Sequence, residues 1–351
     1  MYSMSLCCHD SSNPGRLQFS RVWNNQHLNQ QTIMKQVMSW ILVLGSLFTN
    51  AQTANNIQPV SFLQKDSIRS SLDQSTQVFY YSKATAAKPQ PLIVQLHSWS
   101  FPADSLKTVD LEIEARNKNY NYIFPDFRGV NDHVKACCSD FVIADIDEAI
   151  DWAIKNMNID KNHIYLIGYS GGGYATLAMY VRSRHDIRVF SAWASISDLV
   201  AWYGQSIERK NKYAAEIIQC TGAAGVFDTA RARERSPLSW ATPLEKRKNS
   251  VIQIFAGIHD GFDGSVPISQ SVNFYNKLLH DFKEPDSANY VKSQELTVMS
   301  ETQKFPSSNT NRKIGDRIIH YQKGTKNVLL TIFEGGHELL SKQAIEYIEQ
   351  L

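Results

Sequence analysis

Ser170 stands in Gly168-Tyr-Ser170-Gly-Gly172, a Gly-x-Ser-x-Gly spacing. A serine hydroxyl is a poor nucleophile until a base takes its proton, so the motif acquires meaning only through its context. The apolar run 163–170 (HIYLIGYS) ends at the serine, and a helical pattern over 172–184 follows it. This is the setting of a nucleophile elbow. The tight strand-to-helix turn strains the serine, flanking glycines remove Cβ atoms that would clash, and the helix N-terminus offers free N–H groups. Phosphate binding is the rival use of such a turn. It needs Gly-Lys-Ser/Thr or Gly-x-Gly-x-x-Gly, and this run supplies neither.

A base and an acid must follow the serine, in the order Ser, acid, His. His280 lies within a helical pattern and His320 in a charged, strand-like piece. His337 directly follows a buried run, in Phe333-Glu-Gly-Gly-His337, where two glycines allow a sharp loop at the C-terminal edge of a sheet. His337 is therefore the expected base. For the acid, Asp260 ends the run VIQIFAGIHD and ranks first. Asp263, three residues on, is the alternative, and Asp198, after an earlier strand, ranks third. His259 is expected to pack beside the site or support it. The oxyanion of an acyl-transfer intermediate needs two donors. One is expected to be the N–H of Gly171; the other comes from His97-Ser98-Trp99-Ser100, with Ser98 and Trp99 both open. Trp99, Tyr169, Trp202 and Tyr203 are the expected substrate contacts, the tryptophans and Tyr203 by stacking on a sugar or aryl group. The alternative for Trp202 is packing within a cap.

These residues need a scaffold. The runs at 91–97, 120–127, 163–170, 190–197, 251–259 and 328–334 are continuously apolar, as in parallel strands covered on both faces. The segment 77–83 alternates and suits an edge strand. Helical periodicity covers 140–157, 172–184, 266–282 and 338–351. The alternation predicts an α/β fold with a doubly wound, mostly parallel sheet. Residues 198–239 would form a small cap. Residues 283–326 read as a polar surface excursion with a helix near 295–303.

The N-terminus is set apart from this fold. From Met34, a charged start, an apolar run from Trp40 to Phe48 and small residues ending at Ala51 have the layout of a signal peptide, spanning 34–51. Residues 1–33 then read as an over-extended N-terminus, and 52–351 as one catalytic domain in a secreted or periplasmic protein. Once the signal is removed, no membrane association is expected. The chain has 36 basic and 34 acidic residues. Up to Ala51 lie Arg16, Arg21, Lys35 and Asp10, so the remainder is balanced and carries no electrostatic footprint for nucleic acid. In an exported protein Cys220 could pair with Cys137 or Cys138. Adjacent cysteines with His133 lack metal-site spacing, so no metal or other cofactor is expected.

Several motifs together resemble the catalytic domain of the prolyl oligopeptidase family of α/β-hydrolases. They are Leu96-His-Ser-Trp99, Pro125-Asp-Phe-Arg-Gly129, Asp145-Ile-Asp-Glu-Ala-Ile150, Ala256-Gly-Ile-His-Asp260, Ser265-Val-Pro267 and Glu334-Gly-Gly-His337. The resemblance runs from about Pro91 to Leu351. It implies a Ser170–Asp260–His337 triad working through an acyl-enzyme. The family loop often reads Gly-x-x-Asp-x-x-Val. Here Gly257 to Asp260 supplies the first half and Asp263 to Val266 the second, which keeps Asp263 open as the acid. The short span between the leader and the first core strand leaves no room for the family's propeller. An esterase acting on acetyl or feruloyl groups of saccharides is expected, and a peptidase cleaving short peptides is the alternative.

Overall fold

The computed structural model describes residues 62–105, 110–222, 225–305 and 312–351. The expected signal peptide and the stretch before it lie outside the described residues. The strands are β1 (Gln64–Arg69), β2 (Thr76–Ser82), β3 (Gln90–Leu96), β4 (Asn121–Pro125), β5 (Ile159–Tyr169), β6 (Val189–Trp193), β7 (Val251–Gly257), β8 (Lys313–Ile314), β9 (Arg317–Gly324) and β10 (Val328–Phe333). The helices are α1 (Asp110–Asn117), α2 (Asp140–Asn156), α3 (Gly171–Arg182), α4 (Leu199–Glu208), α5 (Tyr213–Thr221), α6 (Thr229–Glu234), α7 (Leu244–Arg247), α8 (Ile268–Asp281), α9 (Ser293–Thr302) and α10 (Ser341–Glu349).

All ten strands join one sheet in the order β1-β2-β4-β3-β5-β6-β7-β10-β9-β8. The stretch from β4 to β10 is parallel throughout. Antiparallel strands flank it on both sides. The parallel strands are apolar along their whole length because both faces are covered. Val142 and Ile146 of α2, Leu177 of α3 and Val272 of α8 pack on one face. Leu111 of α1 and Ile345 and Ile348 of α10 pack on the other.

Two expectations about the edges need correction. β2 is not an edge strand, because β1 pairs along its outer side. The region 283–326 is not merely a surface excursion, because β9 within it pairs antiparallel with β10. Both missed strands lie at or near the sheet margin. Their outward positions are polar, so they lack the continuous apolar signal of the central strands.

The cap expected at 198–239 holds α4, α5 and α6, between β6 and β7. Cys220 of α5 forms a disulfide with Cys137, in the loop before α2, while Cys138 is a free, buried thiol. No helix among the described residues is long and apolar enough to cross a membrane.

Candidate active site

β5 delivers Ser170 to the C-terminal edge of the sheet, and α3 begins at the next residue. Ser170 has φ 57° and ψ −117°, a backbone conformation that L-residues rarely adopt. Its amide donates to Trp193 O at 2.9 Å, and its carbonyl accepts from Tyr174 N at 2.9 Å. The turn is tight enough to exclude side chains beside it. A Cβ at Gly172 would lie 2.1 Å from Leu96 O, and one at Gly173 would lie 2.5 Å from Trp193 O. These glycines let α3 start directly against β3 and β6.

β10 ends just before the loop carrying His337, and β7 ends just before Asp260. Because β7 and β10 are neighbours, the two loops meet. Ser170 Oγ–H donates to His337 Nε2 at 2.9 Å, and His337 Nδ1–H donates to Asp260 Oδ2 at 2.7 Å. The carboxylate can only accept, so it places the imidazole proton on Nδ1 and leaves Nε2 free to take the serine proton. Asp260 is 2% exposed, and its other oxygen accepts from Val266 N at 3.0 Å.

The structure separates the three acid candidates. Asp260 alone reaches His337. Asp263 is exposed on the turn that follows, with its amide bonded to His259 O at 3.1 Å. Val266, the far end of the split loop pattern, thus serves Asp260. Asp198 caps α4, accepting from Val200 N at 2.8 Å and Ala201 N at 3.3 Å. Among the other histidines, His280 has a side chain 87% exposed, and His320 donates to Glu334.

Gly264 went unnoticed at the level of sequence. A Cβ there would lie 2.3 Å from Asp260 Oδ1 and 2.6 Å from His337 Cβ. Only a residue without a side chain lets the loop close over the acid–base pair. We predict that Gly264→Ala lowers kcat at least tenfold by displacing Asp260 or His337, with a much smaller change in KM. Steady-state kinetics on an aryl ester checks this; a kcat within twofold of wild type would refute it. The signal that could have found Gly264 is its place between the two halves of the split loop pattern.

The Ser98–Trp99 peptide lies against Gly171. A Cβ at Gly171 would lie 2.2 Å from Trp99 N. Of the two open donors, the Trp99 N–H therefore lies beside Gly171. Ser98 is buried, and its carbonyl lies 2.9 Å from His97 Nδ1. The His97 ring stacks on Phe127 at 3.8 Å.

The expected substrate contacts fare differently. Trp99 and Trp202 are 2% and 1% exposed, and their rings pack edge to face at 4.8 Å. Both indole N–H groups are used internally, by Glu216 Oε2 at 2.8 Å and by Ser265 O at 2.9 Å. These side chains build the cap and its seat, so the expectation that their rings stack on a substrate is corrected. Tyr203 has one face covered by Phe227 at 3.8 Å. Tyr169 is half-buried, and its hydroxyl donates to His337 O at 3.0 Å, steadying the base; burial pushes its phenol up to about 12.

A second cluster ties the acid and base loops together. His259 Nε2–H donates to Glu334 Oε1 at 2.7 Å, and His320 Nε2–H donates to Glu334 Oε2 at 2.6 Å. His259 Nδ1 meets Gln303 Oε1 at 2.6 Å, and the His259 amide donates to Gly335 O at 3.0 Å. Burial pulls the His259 pKa down, but the bonds to Glu334 and Gln303 outweigh it and hold it above its usual 6.5. The bond from His320, and against burial the bond from His259, hold Glu334 below its usual 4.5.

The raised histidine contributes stability that is complete below 6.5 and lost as pH rises through its folded value. The depressed carboxylate contributes stability that is complete above 4.5 and lost as pH falls through its folded value. We predict that His259→Gln lowers Tm most between these limits, and that the difference from wild type shrinks both as pH falls below 4.5 and as it rises above 6.5. Both side chains are partly exposed, so solvent screening keeps the effect modest. Thermal melts across pH check this, and a constant difference would contradict it.

Among the described residues, no group of three or more His, Cys, Asp or Glu side chains is arranged to hold a metal ion.

Residues 108–321 match the family model described as the prolyl oligopeptidase family, a stretch that ends before His337. Three similar solved structures illustrate the fold. Pyrococcus horikoshii acylaminoacyl peptidase aligns at TM-score 0.52 and 14% identity, covering 84% of this chain and 41% of that one. A Mycobacterium tuberculosis puromycin-hydrolyzing peptidase aligns at 0.52 and 14%, covering 82% and 38%. Oligopeptidase B from Leishmania major aligns at 0.52 and 12%, covering 82% and 35%. This chain thus spans less than half the length of each. They share its α/β-hydrolase architecture, a mostly parallel sheet with helices on both sides. No curated protein matches the sequence significantly.

Proposed function

This chain belongs to the prolyl oligopeptidase family, and on that premise we propose that it is a serine hydrolase that cleaves short peptides through an acyl-enzyme. The observation that carries the chemistry is the hydrogen-bonded series Ser170–His337–Asp260 at a strained elbow. Ser170 Oγ attacks the acyl carbon while His337 Nε2 takes its proton. The oxyanion that forms is held by the N–H groups of Gly171 and Trp99. His337 returns the proton to the leaving amine, and the acyl group stays on Ser170. Water then attacks the acyl-enzyme, with His337 as base again, releasing the acid. Asp260 fixes the tautomer and stabilises the imidazolium.

Peptides are placed before esters for two reasons. The similar solved structures are named as peptidases. The tryptophans that would have favoured a saccharide ester, Trp99 and Trp202, are buried against each other. Carboxyl esters are the second reading, since the same triad and oxyanion donors cleave them. A panel of aminoacyl and peptidyl anilides, aryl esters and acetylated or feruloylated sugars tests the order. Anilide turnover comparable to ester turnover supports the peptidase. Turnover confined to sugar esters would replace it with the esterase. Export through the leader at 34–51 belongs to the same reading, and N-terminal sequencing of the protein from its native host tests it. A mature start just after Ala51 supports export, and retention of Met34 would refute it.

A further inference from the structure

Trp99 is held by a ring of contacts that closes through the cap. Its indole N–H donates to Glu216 Oε2 of α5 at 2.8 Å. One helical turn earlier, Tyr213 of α5 sets its ring edge-on to Trp99 at 6.3 Å and stacks on Trp202 at 4.8 Å. One turn later α5 carries Cys220, which is bonded to Cys137 with a Cα–Cα separation of 5.9 Å. The Cys137 amide donates to Asn131 Oδ1 at 2.7 Å, and the Asn131 amide donates to Trp99 O at 2.9 Å. The path Trp99–Glu216–Cys220–Cys137–Asn131 therefore returns to Trp99, and a covalent bond closes it. Both cysteines are fully buried, and Asn131 is 4% exposed.

The ring grips Trp99 at its side chain and at its carbonyl. Between those grips, the backbone N–H of Trp99 lies against Gly171. An oxyanion donor acts only if it is already in place when charge develops, and misplacement of about 1 Å costs about 10² in rate.

We propose that Glu216 and the Cys137–Cys220 disulfide are positioning residues that hold the Trp99 N–H as an oxyanion donor, so that the redox state of the cap sets the rate of acyl transfer. This rests on the reading of Ser170 as the nucleophile. Opening the bond requires a reductant, and a trialkylphosphine serves. With one water the phosphine becomes its oxide, giving two electrons and two protons to the disulfide, which becomes two thiols.

The experiment uses the full chain and aryl acetate hydrolysis, with fluorophosphonate labelling as an independent readout of Ser170. Four forms are compared with wild type: Cys137→Ser/Cys220→Ser, Glu216→Ala, Glu216→Gln, and the phosphine-treated protein. Mass spectrometry after alkylation confirms two additional thiols in the last. The disulfide-free forms and Glu216→Ala should lose at least tenfold in kcat with KM within twofold. The loss of a whole donor, about 10²–10³, is the upper limit. Glu216→Gln keeps an oxygen to accept the indole N–H while losing the ion pair to Lys212, so it should recover most of kcat.

A disulfide-free protein with kcat within twofold of wild type would overturn the proposal. So would a change confined to KM, or a Glu216→Gln variant as impaired as Glu216→Ala. The two Glu216 variants keep the test open if the double cysteine variant does not fold. A wild type that fluorophosphonate does not label would instead overturn the reading of Ser170, and the inference with it.

Discussion

Ser170→Ala is expected to lower kcat by about 10⁶, the loss seen when the nucleophile of a serine triad is removed, and to abolish fluorophosphonate labelling. The substitution deletes one oxygen from a residue that is 8% exposed and whose φ of 57° is imposed by the turn. Alanine tolerates that conformation no worse than serine does. The backbone strain of about 1–3 kcal/mol is therefore unchanged, and Tm should shift by only a few degrees. The effect on chemistry is large because no other hydroxyl stands in hydrogen-bond contact with His337 Nε2 among the described residues. Turnover and labelling that persist in a folded Ser170→Ala protein would remove Ser170 from its role.

The second large effect distinguishes two neighbouring aspartates. Asp260→Asn is expected to lower kcat by about 10⁴, and Asp263→Asn by less than threefold. The asparagine amide can turn an N–H toward His337 Nδ1. That favours the tautomer with its proton on Nε2, where it cannot accept from Ser170. It also removes the charge that stabilises the imidazolium. Val266 N, 3.0 Å from Asp260 Oδ1, holds the carboxylate in one orientation, so little freedom remains to compensate. Asp263 lies on an exposed turn and has no bond to His337. Measuring kcat for both variants decides the matter: if Asp263→Asn carries the loss and Asp260→Asn does not, the assignment reverses.

Much of this site was legible in the sequence because its parts are local. A buried strand shows as an unbroken apolar run, and a turn that must be tight shows as glycine. The run ending at Ser170 and the run ending before Gly335-Gly336-His337 both carried that signal, and their order along the chain matched the order a hydrolase needs. The sequence left the second oxyanion donor between Ser98 and Trp99, and the folded chain sets the Trp99 N–H beside Gly171. The margins of the sheet were harder, since β1 and β9 bury only part of their surface and their polar residues resemble those of loops.

What the sequence by itself determined was the parallel core, the elbow and the residue types that follow it, because each depends on periodicity and turn chemistry within a few residues. Only the tertiary structure decided which of three aspartates meets His337, which of two adjacent cysteines meets Cys220, and that Trp99 packs against Trp202 of the cap. Each of those outcomes depends on where two distant segments come to rest. Residues one to three positions apart in a loop carry nearly the same local pattern but point in different directions, and only the folded path of the chain selects between them.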